Sequence, residues 1–209
     1  MTSGSELAQA IASVDAATTS AELMQATAAL VRCKHMGAIP KLLEVIGFNN
    51  PALAGIAFSG LVALGPEAAP QILDRLDPQN YGARAWSVRA LAEIADSCAL
   101  DALIDALCND IGPSVRRAAA KGLGNLRLRG TAMEISSQRQ RCVHALNHGT
   151  HDSEWVVRYS CCASLERLLS TGAFEDQAIQ SLRERTGRTE RVKVVRLRAW
   201  KALQRLKAG

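Results

Sequence analysis

The chain has 209 residues, of which 48% are hydrophobic, 22% charged and only 4% aromatic. It has no apolar run of about 18 residues and no basic, apolar leader, which argues against a membrane-spanning helix and a secretory signal. We therefore expect a cytoplasmic protein with reduced cysteines. The net charge of +5 is uneven, because residues 183–209 hold ten Lys or Arg against two Glu, a net of +8. This basic end favours an anionic partner, or forms a solvated cap.

Small residues followed by an anchor leucine recur along the chain. In the last three copies a Val-Arg pair precedes the leucine, with the arginine seven residues before it, and Ala83-Arg84 begins a weaker copy. A period of roughly 20–50 residues indicates stacked repeats. We predict an all-α fold, an α-solenoid of about six helical hairpins that resemble HEAT repeats, in a single domain over residues 1–209. The anchors are Leu30, Leu61, Leu91, Leu123, Leu165 and Leu203, spaced 31, 30, 32, 42 and 38 residues apart.

Local signals predict where the helices begin. Thr19 with Glu22 three residues later forms a capping box, and Asn50 before Pro51 marks another helix start. The longest spacing includes residues 128–137, whose poor apolar periodicity predicts a long connection. Further helices are predicted over residues 38–46, 51 to near 65, 81–95, 100–108, 114–126, 136–147, 153–169, 174–185 and 190–206.

Acidic residues stand at a fixed distance before the Val-Arg arginines. Asp110, Asp152 and Glu190 each precede one of them by six residues. This spacing predicts a ladder of ion pairs between stacked turns. Arg84 departs from the pattern, because Pro78 holds the place of the acid, so we expect Arg84 to be free for a ligand.

Helical periodicity predicts a basic row on the exposed inner face of the Val-Arg helices. Tyr81, Trp86, Trp155 and Tyr159 lie close to this row, although Trp86 and Trp155 also fit core positions between repeats. A basic groove with aromatic rings suits a planar anionic ligand, and nucleic acid fits in outline. The row contains Arg89, Arg117, Lys121, Arg167, Lys201 and Arg205, with the single acid Glu93.

Four potential metal ligands cluster within ten residues: Cys142, His144, His148 and His151. His144 and His148 have the i, i+4 spacing that can bind a metal. No Glu follows His144, as the zinc protease motif requires. We therefore predict no metal site.

Two segments carry a resemblance to a known family. Residues 81–94 (YGARAWSVRALAEI) with 100–104, and residues 109–124, resemble the phycobilin lyases of cyanobacteria, above all the F-type subunits of heterodimeric phycocyanin α-subunit phycocyanobilin lyases. The resemblance covers most of the chain and is strongest over 80–126. It implies a lyase subunit that acts with an E-type partner subunit. Together they attach an open-chain tetrapyrrole to a cysteine of a phycobiliprotein α subunit through a thioether. Phycocyanobilin is then the expected transferred substrate, with no permanently bound cofactor, but the choice of bilin stays open because phycoerythrobilin lyases have similar repeats.

The resemblance also suggests roles for the residues of the basic row. Glu93 or Asp110 would protonate or orient the pyrrole nitrogens. The Asn-His-Cys motif of an isomerising branch of the family is absent, since no His precedes a Cys, so plain attachment is expected. The N-terminal residues Leu23, Leu30, Ile39 and Leu42, with few charges nearby, mark a candidate partner-binding end. The predicted bilin-binding residues are Tyr81, Arg84, Trp86, Arg89, Arg117, Lys121 and Tyr159.

Two other functions fit the sequence. A non-enzymatic scaffold that binds bilin or phycobiliprotein in phycobilisome assembly or disassembly would share the groove but transfer nothing. A nucleic-acid binder would use the basic groove, but residues 1–182 carry a net charge of −3, which argues against it. We therefore expect neither a nucleic-acid partner nor membrane insertion.

Overall fold

The fold was analysed in a computed structural model, which describes residues 4–77, 79–169 and 176–208. These residues form twelve α-helices and three short 3-10 helices. Within them the only strand-like pairing is an isolated parallel bridge between Asp96 and Arg127. The all-α prediction is therefore confirmed. The chain divides into two compact units, Met1–Ile94 and Ala95–Gly209, so a single domain stays a prediction.

Unit 1 contains three helical hairpins. The Thr19–Glu22 capping box is present, and the Asn50 side chain accepts hydrogen bonds from the N–H groups of Ala52 and Leu53, as the sequence predicted. Two helices were not foreseen: α1, which buries only two residues, and α5, which has five residues. The six helices are α1 (Gly4–Ala16), α2 (Ser20–Arg32), α3 (Ile39–Ile46), α4 (Pro51–Leu64), α5 (Ala69–Leu73) and α6 (Tyr81–Ile94).

Unit 2 contains three more hairpins. The prediction of a long connection over residues 128–137 is wrong, because α9 begins at Ala132 behind a capping box of Thr131 and Glu134. The predicted helix start at residue 174 lies outside the described residues. The helices are α7 (Leu100–Asn109), α8 (Pro113–Leu123), α9 (Ala132–Gly149), α10 (Trp155–Leu169), α11 (Asp176–Thr186) and α12 (Lys193–Ala208).

The second helix of each hairpin carries the anchor leucine. Within unit 1, α2 packs on α1 and α4, and within unit 2, α10 packs on α8 and α12. Small residues beside each anchor allow these helices to approach closely. Five anchors have no exposed surface at all, whereas Leu203 in α12 is half-buried.

No single helix among the described residues is long and apolar enough to cross a membrane. The segments Pro51–Leu64 and Pro66–Leu73 meet the length and composition of a span only when taken together, and they are bent by 109° at the break between them.

Candidate functional site

In unit 1, an arginine on α6 lies against two aromatic rings. The guanidinium carbon of Arg89 is 4.7 Å from the ring centroid of Trp86 and 5.1 Å from that of Phe58. The two rings are 5.6 Å apart and tilted by 54°. Phe58 comes from α4, which packs on α6. Cation–π contacts contribute about 0.5–2 kcal/mol each and restrict the guanidinium, so its N–H groups are pre-organised for an anion.

The other predicted residues of α6 surround this cluster along the helix. Tyr81 is exposed, and the guanidinium carbon of Arg84 lies 5.7 Å from its ring centroid. Arg84 is half-buried and engaged by its neighbours, so the expectation that it is free for a ligand is wrong. The tyrosine stands one turn before the arginine, which puts the ring beside the guanidinium. Glu93 is exposed one turn after Arg89.

Unit 2 holds the remaining predicted site residues. Asp110 is half-buried at the end of α7, and its carboxylate accepts a hydrogen bond of 2.7 Å from the N–H of Gly112. Arg117 and Lys121 are exposed one turn apart on α8, and Tyr159 is exposed on α10. Arg117 and Tyr159 occupy equivalent positions, each directly after the arginine of a Val-Arg pair, on two packed helices. That these residues share one groove with those of α6 stays a prediction.

The predicted ion-pair ladder is present in unit 2, and it joins successive hairpins. Arg116 binds both carboxylate oxygens of Asp152, with Nε–Oδ2 of 2.7 Å and Nη2–Oδ1 of 3.0 Å. Arg158 binds Glu190 in the same way, at 2.7 and 2.8 Å. The acid six residues earlier supplies its backbone carbonyl instead, as Asp110 does to Arg116 at 2.9 Å. These arginines are therefore structural.

The ion pairs of the ladder shift the pKa values of the residues that form them. The hydrogen bond from Arg158 lowers the pKa of Glu190 below its usual value, and the Val192 N–H adds to the effect against the opposing cost of burial. The hydrogen bond to Glu190 in turn raises the pKa of Arg158. Each charge is stabilised by its partner, and neither group is poised for proton transfer near neutral pH.

A groove between α7 and α9 in unit 2 was not predicted. Its volume of about 580 Å³ lies within the range of ligand sites. Cys108 and Ile104 line one side, and Arg141, His144 and His148 line the other. Within the described ranges, no group of three His, Cys, Asp or Glu side chains could hold a metal ion. The exposed i, i+4 pair of His144 and His148 is the sequence signal for this groove, although that spacing by itself indicates only a metal site.

The apolar residues of the N-terminal end are mostly core. Leu30, Ile39 and Leu42 are buried and Leu23 is half-buried, so these side chains do not form an exposed apolar surface. The cause is the hairpin itself, because these side chains point between α2, α3 and α4. That the N-terminal end binds the partner stays a prediction. Trp86 is half-buried, whereas Trp155 is 44% exposed and does not belong to the core.

The basic row is partly neutralised in the last hairpin. The Glu166 carboxylate on α10 pairs with Arg198 and with Arg205 of α12, the latter at 2.8 Å. Although burial opposes it, these two guanidinium groups lower the pKa of Glu166. Arg205 therefore fastens α12 to α10, while Lys201 and Arg167 are exposed as predicted.

Comparison with known proteins decides the family. Residues 69–135 match the HEAT repeats family, which confirms the α-solenoid class. The chain is 47% identical over 204 residues to the bilin biosynthesis protein RpcF of Synechococcus sp. (strain WH8020), covering 97% of each chain. It is 44% identical over 166 residues to the phycocyanobilin lyase subunit beta of Nostoc sp. (strain PCC 7120), covering 79% of this chain and 82% of that one. The chain belongs to the phycocyanobilin lyase beta-subunit family.

A solved structure supports the same assignment. The chain matches the structure of the complex of CpcE and CpcF of phycocyanin lyase from Nostoc sp. PCC7120, with a TM-score of 0.76 and 42% identity. The match covers 81% of this chain and 99% of that chain. The matched chain of that complex thus shares with this chain both part of its sequence and its arrangement of helices.

Proposed function

We propose that this chain is the F-type subunit of a heterodimeric bilin lyase that acts in the cytoplasm with an E-type partner. The observation that carries the proposal is the 42% identical match to a chain in the complex of CpcE and CpcF, covering 99% of that chain. The lyase attaches an open-chain tetrapyrrole, phycocyanobilin, to a cysteine of a phycobiliprotein α subunit.

The reaction is an addition. The sulfur of the acceptor cysteine bonds to the ethylidene carbon of the bilin A ring, and the proton of the thiol passes to the bilin. No leaving group departs, and no oxidant or reductant is needed. The lyase therefore has to hold a flexible tetrapyrrole in one orientation at one thiol. Orientation of this kind supplies a large part of the rate enhancement in an addition between two bound partners.

Arg89 is the proposed anchor for a bilin propionate. Its guanidinium is exposed, and the Phe58 and Trp86 rings fix it from one side. Among the described residues, no carboxylate forms an ion pair with it. A carboxylate of the ligand can then bind two N–H groups of the guanidinium in parallel. The adjacent aromatic surface suits the flat pyrrole rings.

The remaining residues have assigned roles in the same proposal. In unit 1, Tyr81 provides an aromatic surface for a pyrrole ring on the same helix as Arg89. In unit 2, the exposed Arg117 and Lys121 provide positive charge for a propionate, and the exposed Tyr159 provides another aromatic surface. Glu93, one turn after Arg89 on α6, is a better candidate than Asp110 for orienting pyrrole nitrogens. The carboxylate of Asp110 already accepts the Gly112 N–H at the end of α7.

The test is a co-expression assay with the E-type partner, a phycocyanin α subunit and a supply of phycocyanobilin, each omitted in turn. Covalent bilin is measured by absorbance and by zinc-induced fluorescence on a denaturing gel. Adduct formation should require this chain. Arg89→Ala should reduce bilin transfer about tenfold or more, the cost of losing one charge-assisted carboxylate contact. Arg75→Ala is the matched control, because Arg75 is exposed and its guanidinium bonds only the Gln71 carbonyl among described residues.

Other outcomes would redirect the proposal. Bilin binding without transfer to any acceptor would favour the non-enzymatic scaffold. If Arg89→Ala transfers bilin normally while Arg141→Ala and His144→Ala do not, the bilin site is the α7–α9 groove. Transfer that does not depend on this chain would reject the lyase function.

A further inference from the structure

One position that recurs in each of the last three hairpins is buried in two of them and exposed in the third. Ala120, Cys162 and Trp200 each stand four residues after the arginine of a Val-Arg pair. Ala120 and Cys162 have no exposed surface, because the following hairpin covers them. Trp200 is 55% exposed on α12, the last helix that the structure describes. The position that packs repeat against repeat thus presents a large aromatic ring to solvent.

The ladder is incomplete at the same place. The guanidinium of Arg196 donates from Nη1 to the carbonyl of Glu190 at 2.6 Å, just as Arg116 and Arg158 bond the carbonyls of Asp110 and Asp152. Those two arginines also bind a carboxylate from the next hairpin. Within the part of the chain that the structure describes, no carboxylate pairs with Arg196. Arg196 and Trp200 are one turn apart on α12, so both lie on the same face of this helix.

Arg196, Trp200 and the half-buried Leu203 lie at spacings of four and three residues on α12, and together they define the end face. The equivalent positions of the two preceding hairpins hold the small residues Ala120 and Cys162. Packing between repeats therefore does not account for the tryptophan at position 200. Tryptophan and arginine are the residues that most often dominate binding energy at protein interfaces.

Charge indicates what kind of partner fits. Residues 183–209 carry a net charge of +8, and Arg191, Lys193 and Lys207 are exposed around the end face. An acidic protein surface would be attracted from a distance and released readily, as suits a partner that must leave after each turnover. A permanent subunit interface would be larger and more apolar.

We propose that the end face docks the phycobiliprotein acceptor. The acidic residue at the start of an acceptor helix would continue the ladder of ion pairs. The acceptor would place a carboxylate on Arg196, in the way that Asp152 and Glu190 meet the preceding arginines, and an apolar side chain on Trp200. This inference rests on the proposed lyase function, because it takes the acceptor to be the substrate protein.

The test measures the affinity of the assembled lyase, this chain with its E-type partner, for the bilin-free phycocyanin α subunit. Trp200→Ala and Arg196→Ala should each weaken acceptor binding about tenfold or more. Arg196→Ala should also reduce the dependence of the affinity on salt. Arg196→Lys keeps the positive charge but lacks the planar guanidinium that can donate two parallel hydrogen bonds. This variant should recover the salt dependence but only part of the affinity.

Leu197→Ala is the matched control, because Leu197 is 53% exposed on the same helix but outside the end face. Its acceptor affinity should equal that of the wild type. Thermal unfolding curves show whether each variant is folded, and retained binding of the E-type partner shows that the lyase is assembled.

Three outcomes overturn the docking proposal. Unchanged acceptor affinity in both variants, with normal bilin transfer by the wild type, rejects the end face alone. Loss of the E-type partner instead of the acceptor assigns the face to the heterodimer. If the wild-type lyase neither binds the acceptor nor transfers bilin, the proposed function fails together with the docking site.

Discussion

The guanidinium of Arg158 grips the carboxylate of Glu190 from the following hairpin, with Nε–Oε2 of 2.7 Å and Nη2–Oε1 of 2.8 Å. Both side chains are nearly buried. The same arginine donates two further hydrogen bonds to the carbonyls of Asp152 and Ser153. One side chain therefore fixes the turn of its own hairpin and the position of the next.

Glu190→Gln should destabilise the chain by about 3 kcal/mol, because it leaves a buried guanidinium without its charge partner. The free energy of unfolding is measured by urea denaturation. Asp101→Asn removes another ion pair, Arg141–Asp101, in which both side chains are more than half exposed. That control should cost less than about 1 kcal/mol. Equal losses in the two variants would contradict a buried, structural ladder.

The ladder also predicts weakness in acid. Hydrogen bonding from Arg158 lowers the folded pKa of Glu190 below its ordinary 4.5, so the unfolded chain binds a proton more readily. The stabilisation is therefore complete above about pH 4.5 and is lost as the pH falls through the folded pKa. The urea concentration at the unfolding midpoint should therefore decrease as the pH is lowered from about 7 to about 3. Glu190→Gln should show a shallower fall, and an identical acid profile in wild type and variant would refute this cause.

A feature could be predicted from the sequence when the residues that form it are close together along the chain. The start of α2 was predictable because Thr19 and Glu22 are three residues apart. The capping box of α9 is equally local. However, few apolar residues follow it, so the periodicity that indicates a helix is missing there. Arg116 finds its carboxylate 36 residues away, so its partner depends on how hairpins stack. Phe58 escaped notice for the same reason, since α4 and α6 bring it to Arg89.

Close packing between hairpins can be tested at a glycine. A Cβ atom at Gly124 would lie 2.5 Å from Cβ and 2.8 Å from Cα of Ser164, whose hydroxyl donates to the Ala120 carbonyl at 2.8 Å. Gly124→Ala should therefore destabilise unit 2 by about 1–3 kcal/mol, because α8 and α10 must separate. Gly55 lies inside α4 with nothing within 4 Å of its added Cβ. Gly55→Ala should instead stabilise the chain by about 0.5–1 kcal/mol. Thermal and urea unfolding measure both, and stabilisation by both would disprove the tight contact.

Four of the six thiols of the lyase subunit should not compete with the acceptor cysteine for bilin. Cys142, Cys161 and Cys162 are buried, and burial raises the pKa of each thiol. Cys98 is exposed, yet partial burial and the Asp96 carboxylate raise its pKa to about 11. Because the thiolate is the nucleophile, Cys98 should react slowly at neutral pH.

Alkylation with iodoacetamide, followed by mass spectrometry, measures the rate at each thiol. Asp96→Asn removes the neighbouring negative charge but keeps an oxygen that can accept the Cys98 N–H. The rate at Cys98 should rise in this variant and increase at a lower pH than in the wild type. Cys161 and Cys162 are the internal controls, since their reaction requires unfolding. An unchanged pH profile at Cys98 would show that Asp96 does not protect this thiol, and a bilin adduct on Cys98 at neutral pH would show that it competes after all.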